Sequence, residues 1–309
     1  MISVIIVTYN SERHIARCLE SLRNAEAEVV VVDNASTDGT PAQVRQGFPW
    51  VQLLAPARNL GFAAGANLGA RHSRGSALLF LNPDTVCQGA LQPLEQVLES
   101  TPEVVAVAPR LVDAAGRPQI GFTVRRLPTA ASLIFEILLL NRVFPNNPVN
   151  RRYRCLDLNL DQPTEVEQPA GACLLVRRSS FERCGGFDEN FFPLWFEDVD
   201  LCQRLRQQGG KILFWPKLSF GHAGGHSVES LTFCEKQIYW YRNLLYYVQK
   251  YFPWRTGVAI RAALVCGIGL RIAAELLGAV AKPRTPADVR GERVRTYWKA
   301  AKLPFLGWR

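Results

Sequence analysis

No two cysteines in this 309-residue chain stand at C-x-x-C spacing. The eight present are scattered singly, at 18, 87, 155, 173, 184, 202, 234 and 266. That argues against a zinc ribbon or a disulfide framework and for a reducing compartment. A strand-like run, Ile2 to Thr8, begins at once and leaves no room for a signal peptide, so a cytoplasmic protein is expected. A G-x-G-x-x-G fingerprint is missing too, which weighs against a dinucleotide-dependent oxidoreductase. Long uncharged apolar runs are short of what a bilayer needs. Between Val258 and Lys282 the longest, Ala262 to Leu270, has nine residues, whereas a spanning helix takes about 20. No internal repeat is evident.

Enough apolar residues remain for a sizeable core, at 48% of the chain, so disorder is not expected. The length suits one large α/β domain, alone or with appendages. The net charge of +9 is uneven. Lys282 to Arg309 holds eight basic residues against two acids, a net of +6. Such a tail points to an anionic surface, with lipid headgroups ahead of nucleic acid. No nucleic-acid recognition motif accompanies it, and no nucleic-acid partner is expected.

Val29 to Val32 runs apolar into Asp33 and then stops in the polar turn Asn34-Ala35-Ser36-Thr37-Asp38-Gly39. The pattern is that of a strand buried on both faces. Thr37 or Asp38 can cap the next helix, with Pro41 in its first turn. A carboxylate at the carboxyl end of such a strand stands where open α/β sheets bind ligands. Taken alone, an ordinary capped turn explains it as well. Ile2 to Thr8, leading to Tyr9-Asn10, repeats the buried-strand pattern, and Ser11 opens a helix with Ile15, Leu19 and Leu22 on one face. A short strand follows near Val51 to Leu54. Strands alternating with helices over short links predict a parallel sheet with right-handed crossovers.

Next comes Asn59-Leu60-Gly61 through Asn67-Leu68-Gly69. Its small residues at 61, 64, 65 and 69 let a helix start lie against an anionic ligand or simply pack closely on a strand. Ala77 to Leu81 is a further strand, delivering Asn82-Pro83-Asp84. An acid there suits a hard cation bridging diphosphate oxygens, and a plain turn is the competing reading.

In that order, SVIIVTYN, VVVVDNASTDGT, NLGFAAGANLG and LNPDT resemble the family 2 glycosyltransferases of the A-type fold, and among them the bacterial rhamnosyltransferase-like branch. The resemblance covers roughly residues 1–250. It implies a Rossmann-like, mostly parallel sheet flanked by helices in 1–250, while the residues of 251–309 themselves read as a helical, basic appendage. It implies a nucleotide-sugar donor (dTDP-, UDP- or GDP-linked) held by Thr8, Tyr9, Asn10, Asp33, Asn34, Ser36, Asn59, Gly61, Gly65, Asn67, Asn82 and Asp84. It further implies Mg²⁺ or Mn²⁺ at Asp84, the acid of a DxD-type motif in which Asn82 replaces the first acid. Asp113 to Leu160 is harder to read: Leu133 to Leu140 is an apolar helix candidate interrupted by Glu136, and 141–168, without a clear period, reads as mobile or functional. The resemblance implies that this region faces the acceptor, where Arg151, Arg152 and Arg154 would meet a phosphate; a solvated basic loop is the competing reading for each of them.

Gly171 and its small neighbours feed a strand ending at Arg177. Trp195-Phe196-Glu197-Asp198-Val199-Asp200 then opens a helix from about Glu197 to Gln208. Acids in a first turn suit the helix dipole, which accounts for one or two of the three. Aromatic cover desolvates a carboxylate and raises its pKa toward that of a useful base. The segment resembles the family's ED motif, which implies Asp198, or second Glu197, as the catalytic base. Trp195 and Gly171 are expected on the acceptor side. After a short strand, Ile212 to Trp215, His222 and His226 share a glycine-rich turn that resembles the family's H-x-G-G-x-S element. That match implies His222 as a second metal ligand and Ser227 as a phosphate contact.

Glu229 to Lys250 reads as a long helix. The apolar segment after it is broken by Arg261, Arg271 and Glu275. It suits an interfacial helix beside Trp254 and the basic tail, or a helix packed on the catalytic domain or a second subunit. The expected function is an inverting, metal-dependent transfer, first guess rhamnose, to a glycan or lipid-linked glycan in cell-surface polysaccharide synthesis. It would take place on the cytoplasmic face of the inner membrane. A non-catalytic nucleotide-sugar-binding protein is the alternative, and it needs no acid at 198.

Overall fold

The computed structural model describes residues 1–224, 231–281 and 286–305. Eleven strands are found there: β1 Ile2–Thr8, β2 Glu28–Asp33, β3 Gln52–Leu54, β4 Ala77–Leu81, β5 Thr85–Cys87, β6 Val104–Val112, β7 Val124–Arg125, β8 Thr164–Val166, β9 Gln168–Pro169, β10 Cys173–Arg177 and β11 Lys211–His222. The main sheet runs β3-β2-β1-β4-β10-β6-β11-β5, with β8 on β11, while β7 and β9 form a separate ribbon.

The apolar strand runs are buried on both faces, as their composition requires. Successive residues point to opposite sides. Val4, Ile6, Val29, Val31, Leu79 and Leu81 enter one core with Ile15, Leu19, Leu94 and Leu98. Ile5, Val30, Val32, Leu78 and Phe80 enter the other with Ala63, Ala66, Ala70, Leu201 and Leu205. The helices Ile15–Ser21 and Gln92–Ser100 thus cover one face, and Gly61–Arg71 and Glu197–Gln207 the other. The first helix starts at Ile15, and Ser11 serves a turn before it, accepting from the amides of His14 and Ile15. Gly39, not Thr37 or Asp38, holds the N-cap of Thr40–Gly47 and supplies no side-chain cap, while Asp38 just before it accepts from the Thr40 amide at 3.0 Å.

β1, β2, β3 and β4 pair in parallel, as the alternation of strands and helices predicts. The other half is mixed. β10 enters antiparallel to both β4 and β6. β11 runs on from Ile212 to His222 through a register shift between Trp215 and Ser219. The expected short strand is therefore a long one, and His222 ends it rather than sitting in a turn.

Contacts between Cα atoms divide the chain into two compact units, 1–127 with 154–230 and 128–153 with 231–309. Compactness therefore draws its line at 230/231, a different property from the functional division expected at 250/251. The second unit is helical: the helix expected at Leu133 to Leu140 is found earlier, at Ala130–Ile137, and the stretch without a clear period gains Leu140–Val143 and Pro148–Tyr153. Phe233–Tyr251 opens with a capping box between Thr232 and Glu235. Trp254–Ala281 is one continuous helix of 28 residues. Among the described residues it is the one helix long and apolar enough, by length and composition, to cross a membrane. The charges that interrupt its sequence turn inward. Arg261 donates to the Pro304 carbonyl at 2.7 Å, Arg271 to that of Ile137 at 2.6 Å, and Glu275 pairs with Arg293 at 3.2 Å. Trp254, Val258, Val265, Leu270, Leu276 and Leu277 are left exposed.

Candidate active site

The strand directions bring the expected residues to one edge. β1, β2 and β4 are parallel and end at Thr8, Asp33 and Leu81. β10 is antiparallel to β4, with Cys173 opposite Leu81, so its amino end and Gly171 lie at that same edge. β6 opposes β10 as β4 does, and β11 is parallel to β6, so His222 also ends there. Strand order 3-2-1-4 places the topological switch point between β1 and β4, the place where open α/β sheets form their crevice.

Asp33 is buried and hydrogen-bonded through both of its oxygens. Its Oδ1 accepts from the Thr8 hydroxyl at 3.1 Å and its Oδ2 from the Ser36 amide at 3.1 Å. The loops after β1 and β2 are latched together. The Asn10 amide donates to Ser36 Oγ at 2.9 Å, and the Thr37 amide to Asn10 Oδ1 at 2.8 Å. Tyr9 is exposed beside them. Asn34 reaches the next motif by donating from Nδ2 to the Gly61 carbonyl at 2.9 Å, and Asn59 Oδ1 accepts from the Gly61 amide at 2.8 Å. Gly61 has φ +78°, which glycine tolerates best, and an added Cβ would strike Phe192. A Cβ on Gly65 would stand 3.0 Å from Val7 Cγ1, so close helix-on-strand packing accounts for that glycine. Asn67 is buried and points to the protein itself. It donates to the Phe187 carbonyl and to Glu189 Oε1, and accepts from the Phe187 amide, each at 2.9 Å.

Asp84 follows β4 and is almost wholly buried, yet its Oδ1 has no hydrogen-bond partner. His222 Nε2 faces that oxygen at 3.7 Å. The separation is too long for a hydrogen bond and within the span of two bonds of about 2.1 Å to one ion. His222 Nδ1 lies 2.9 Å from Gln119 Oε1, the Gln119 amide nitrogen donates to the His222 carbonyl at 2.9 Å, and Phe122 stacks on the imidazole at 5.1 Å and 12°. Burial holds the imidazole below its ordinary pKa of 6.5, although the charge of Asp84 pulls the other way. A neutral imidazole nitrogen beside an orphaned carboxylate oxygen fits a divalent cation. Among the described residues no third His, Cys, Asp or Glu joins them. Mg²⁺ sites are commonly completed by substrate phosphates and water. Asn82 is half-buried in the same turn, its carbonyl accepting from the Thr85 amide at 3.1 Å. His226 and Ser227 lie outside the described residues.

Asp198 occupies the first turn of Glu197–Gln207 and keeps part of its surface open. Its Oδ2 accepts from the Gly171 amide at 3.0 Å and from Gln168 Nε2 at 3.3 Å, and its Oδ1 from the Val199 amide at 2.8 Å. Burial raises its pKa, opposed by the Gly171 and Val199 amides and by the positive charge of Arg125. Glu197 is buried more deeply, with Oε2 unpartnered, and burial followed by the charge of Asp198 pushes it well above the ordinary value. Asp200 has a separate task. It is fully buried and paired with Arg204 at 2.6 Å, while Arg204 also donates to the carbonyls of Cys184 and Gly186. Half-buried Trp195 and buried Phe196 precede the helix with φ of +79° and +73°. Two successive aromatic residues in the left-handed region store strain on the order of 1–3 kcal/mol each, right beside the carboxylates. Gln119, Phe122, Arg125 and Gln168 reach the site although no sequence motif announces them. The β7–β9 ribbon pairs Arg125 with Gln168 and carries both to Asp198.

Residues 3–185 match the model of the family described as glycosyl transferase family 2. Residues 152–225 match that described as the N-terminal domain of galactosyltransferase. The chain is 33% identical over 244 residues to the N-acetylglucosaminyl-diphospho-decaprenol L-rhamnosyltransferase of Mycobacterium tuberculosis, covering 74% of this chain and 77% of that protein. It is 26% identical over 260 residues to the rhamnosyltransferase WbbL of Escherichia coli K12, covering 78% and 89%. The solved structure of the mannosyltransferase PcManGT from Pyrobaculum calidifontis, in complex with GDP-Man and Mn²⁺, aligns at a TM-score of 0.55 and 21% identity over 98% of this chain and 86% of that one. That likeness is one of fold, the A-type glycosyltransferase sheet with its flanking helices. With a family match over more than half of its residues and a relative of one-third identity, the chain belongs to glycosyltransferase family 2, among its bacterial rhamnosyltransferase-like members.

Proposed function

We propose that this glycosyltransferase moves a sugar, rhamnose as first choice, with inversion from a nucleoside-diphosphate donor to a hydroxyl of a glycan or lipid-linked glycan in cell-surface polysaccharide synthesis. The observation that carries this reading is the buried, unpartnered oxygen of Asp84 facing His222 at the sheet edge that also holds Asp198. Asp84 and His222 would hold Mg²⁺ or Mn²⁺, which when bound supplies neutralising charge to the leaving diphosphate. The Asp33 turn, with Tyr9, Asn10 and Ser36, binds the nucleoside. Asp198 takes the proton of the acceptor hydroxyl as that oxygen bonds to the anomeric carbon and the bond to the diphosphate oxygen breaks. Burial raises the pKa of both carboxyls, Glu197 well above its ordinary value, and the Gly171 and Val199 amides oppose the rise at Asp198. Trp195 and Gly171 lie on the acceptor side. The rhamnosyl donor and lipid-linked acceptor are supported by the names of the relatives, and the nucleotide and Mn²⁺ by the mannosyltransferase complex.

Residues 1–250 do this chemistry, and 251–309 rest on the cytoplasmic face of the inner membrane. The exposed apolar face of Trp254–Ala281, its charges turned inward, supports that placement together with the basic tail. Interfacial helices combine these two features.

The test is a thermal-shift panel of dTDP, UDP and GDP with and without Mn²⁺ or Mg²⁺, followed by transfer from the sugar of the stabilising nucleotide. A ligand that binds only the folded state raises its apparent stability. A metal-dependent shift with one nucleotide is expected. A flat panel would sink the reading. Retention on vesicles containing anionic lipid, absent with neutral ones, tests the membrane placement.

A further inference from the structure

Gln119 belongs to none of the sequence motifs and lies 103 residues from His222, yet it binds that residue twice. A carbonyl only accepts, so the His222 carbonyl dictates which end of the Gln119 amide faces it: the nitrogen. The oxygen is thereby turned to Nδ1 at 2.9 Å. An oxygen acceptor there requires Nδ1 to carry the proton, and the neutral ring then presents a bare Nε2 to Asp84. Gln119 is itself held firmly. Its amide donates to the Leu111 carbonyl at 2.9 Å, and its carbonyl accepts from the Thr123 amide at 3.0 Å and hydroxyl at 3.1 Å. Phe122, on the same turn, stacks flat on the imidazole and opposes rotation of the ring.

We infer that Gln119 is a positioning residue that fixes the tautomer and aim of His222, so that the turn after β6 prepares the imidazole for the cation. The inference rests on the reading of Asp84 and His222 as the metal-holding pair. Partners of this kind orient a ligand imidazole, and their loss weakens metal affinity by about 10–100-fold.

Two measurements test it. Long-range ¹H–¹⁵N spectra of the metal-free protein at pH 8 should show His222 protonated on Nδ1, with Gln119→Leu shifting it toward the Nε2–H form. Titration of Mn²⁺ into the nucleotide-loaded protein should show binding weakened about 10–100-fold in Gln119→Leu. Nucleotide binding without metal should be unchanged in Gln119→Leu, which separates loss of this contact from a general loss of fold. A wild-type His222 protonated on Nε2, or a leucine variant with unaltered tautomer and Mn²⁺ affinity, would overturn the role of Gln119. A wild type that shows the Nδ1–H form but binds no Mn²⁺ would overturn the metal reading and leave control of the tautomer standing.

Discussion

The Gly171 amide donates to Asp198 Oδ2 at 3.0 Å, joining the amino end of a strand to the first turn of a helix 27 residues later. The approach is so close that a Cβ on Gly171 would meet the Cβ of Asp198 at 3.0 Å. Gly171→Ala therefore displaces the carboxylate by a few tenths of an ångström while leaving the donor pocket alone. We expect kcat to fall roughly tenfold, since even a 1 Å misplacement is worth about 10²-fold. The donor KM should hold. Steady-state kinetics with varied donor would show the split, and an unchanged kcat would mean that Asp198 does not need this aim.

Asp198→Asn keeps shape and removes the base. Transfer should drop by about 10²–10⁴-fold with nucleotide binding nearly intact. Loss of nucleotide binding would instead assign Asp198 to the donor. Because its pKa is raised by burial, kcat/KM should decline as pH falls through that raised value, and the acid limb should be absent from the residual activity of Asp198→Asn.

Glu197→Gln should behave differently. A carboxyl held well above its ordinary 4.5 by burial binds its proton more tightly folded than unfolded. Its contribution to stability is thus full below the unfolded pKa and is lost as pH rises through the folded one. Glutamine mimics the protonated form and escapes that loss. The melting temperature of the variant relative to wild type should rise between pH 5 and pH 9, with much of the activity kept. A variant as inactive as Asp198→Asn would make Glu197 the base.

Asp200→Asn leaves the Arg204 guanidinium without its buried partner. Removing one member of a buried pair typically costs 3–5 kcal/mol, and here about 3 kcal/mol is expected by denaturant titration. Nucleotide affinity at temperatures where the variant is folded should match the wild type.

Gly69 separates packing from ligand binding in the glycine-rich helix. A Cβ there would stand 2.5 Å from Ile5 Cγ2 and 3.2 Å from Val32 Cγ2. Gly69→Ala should lower stability by about 1–3 kcal/mol through overpacking, without changing the nucleotide Kd of the folded protein. A weakened Kd at full stability would point to a ligand contact.

The parallel half of the sheet and the Asp33 and Asp84 turns can be read from the chain because their signals are local. Four buried apolar residues leading into an acid, or acids opening a helix before Leu201 and Leu205, are neighbours in sequence and in space. The same holds for the helix that starts at Glu197. Asp200 shows where locality fails: its pattern is that of the other two acids, and only its pairing with Arg204 gives it a different task. The antiparallel entry of β10, the path of β11 through its register shift to His222, and the arrival of Gln119, Arg125 and Gln168 depend on strand order. Asn67 likewise pairs with Phe187, 120 residues away, and leaves no periodic trace. The Trp254–Ala281 helix makes the point through charge. Arg261, Arg271 and Glu275 break its apolar run in the sequence, yet each finds a partner that tertiary packing places on the inner side. Periodicity reports which face of an element is apolar; which distant side chain satisfies a buried charge or aims an imidazole is decided only when the elements pack, because hydrogen bonds act over about 3 Å and the chain brings such partners together only in the fold.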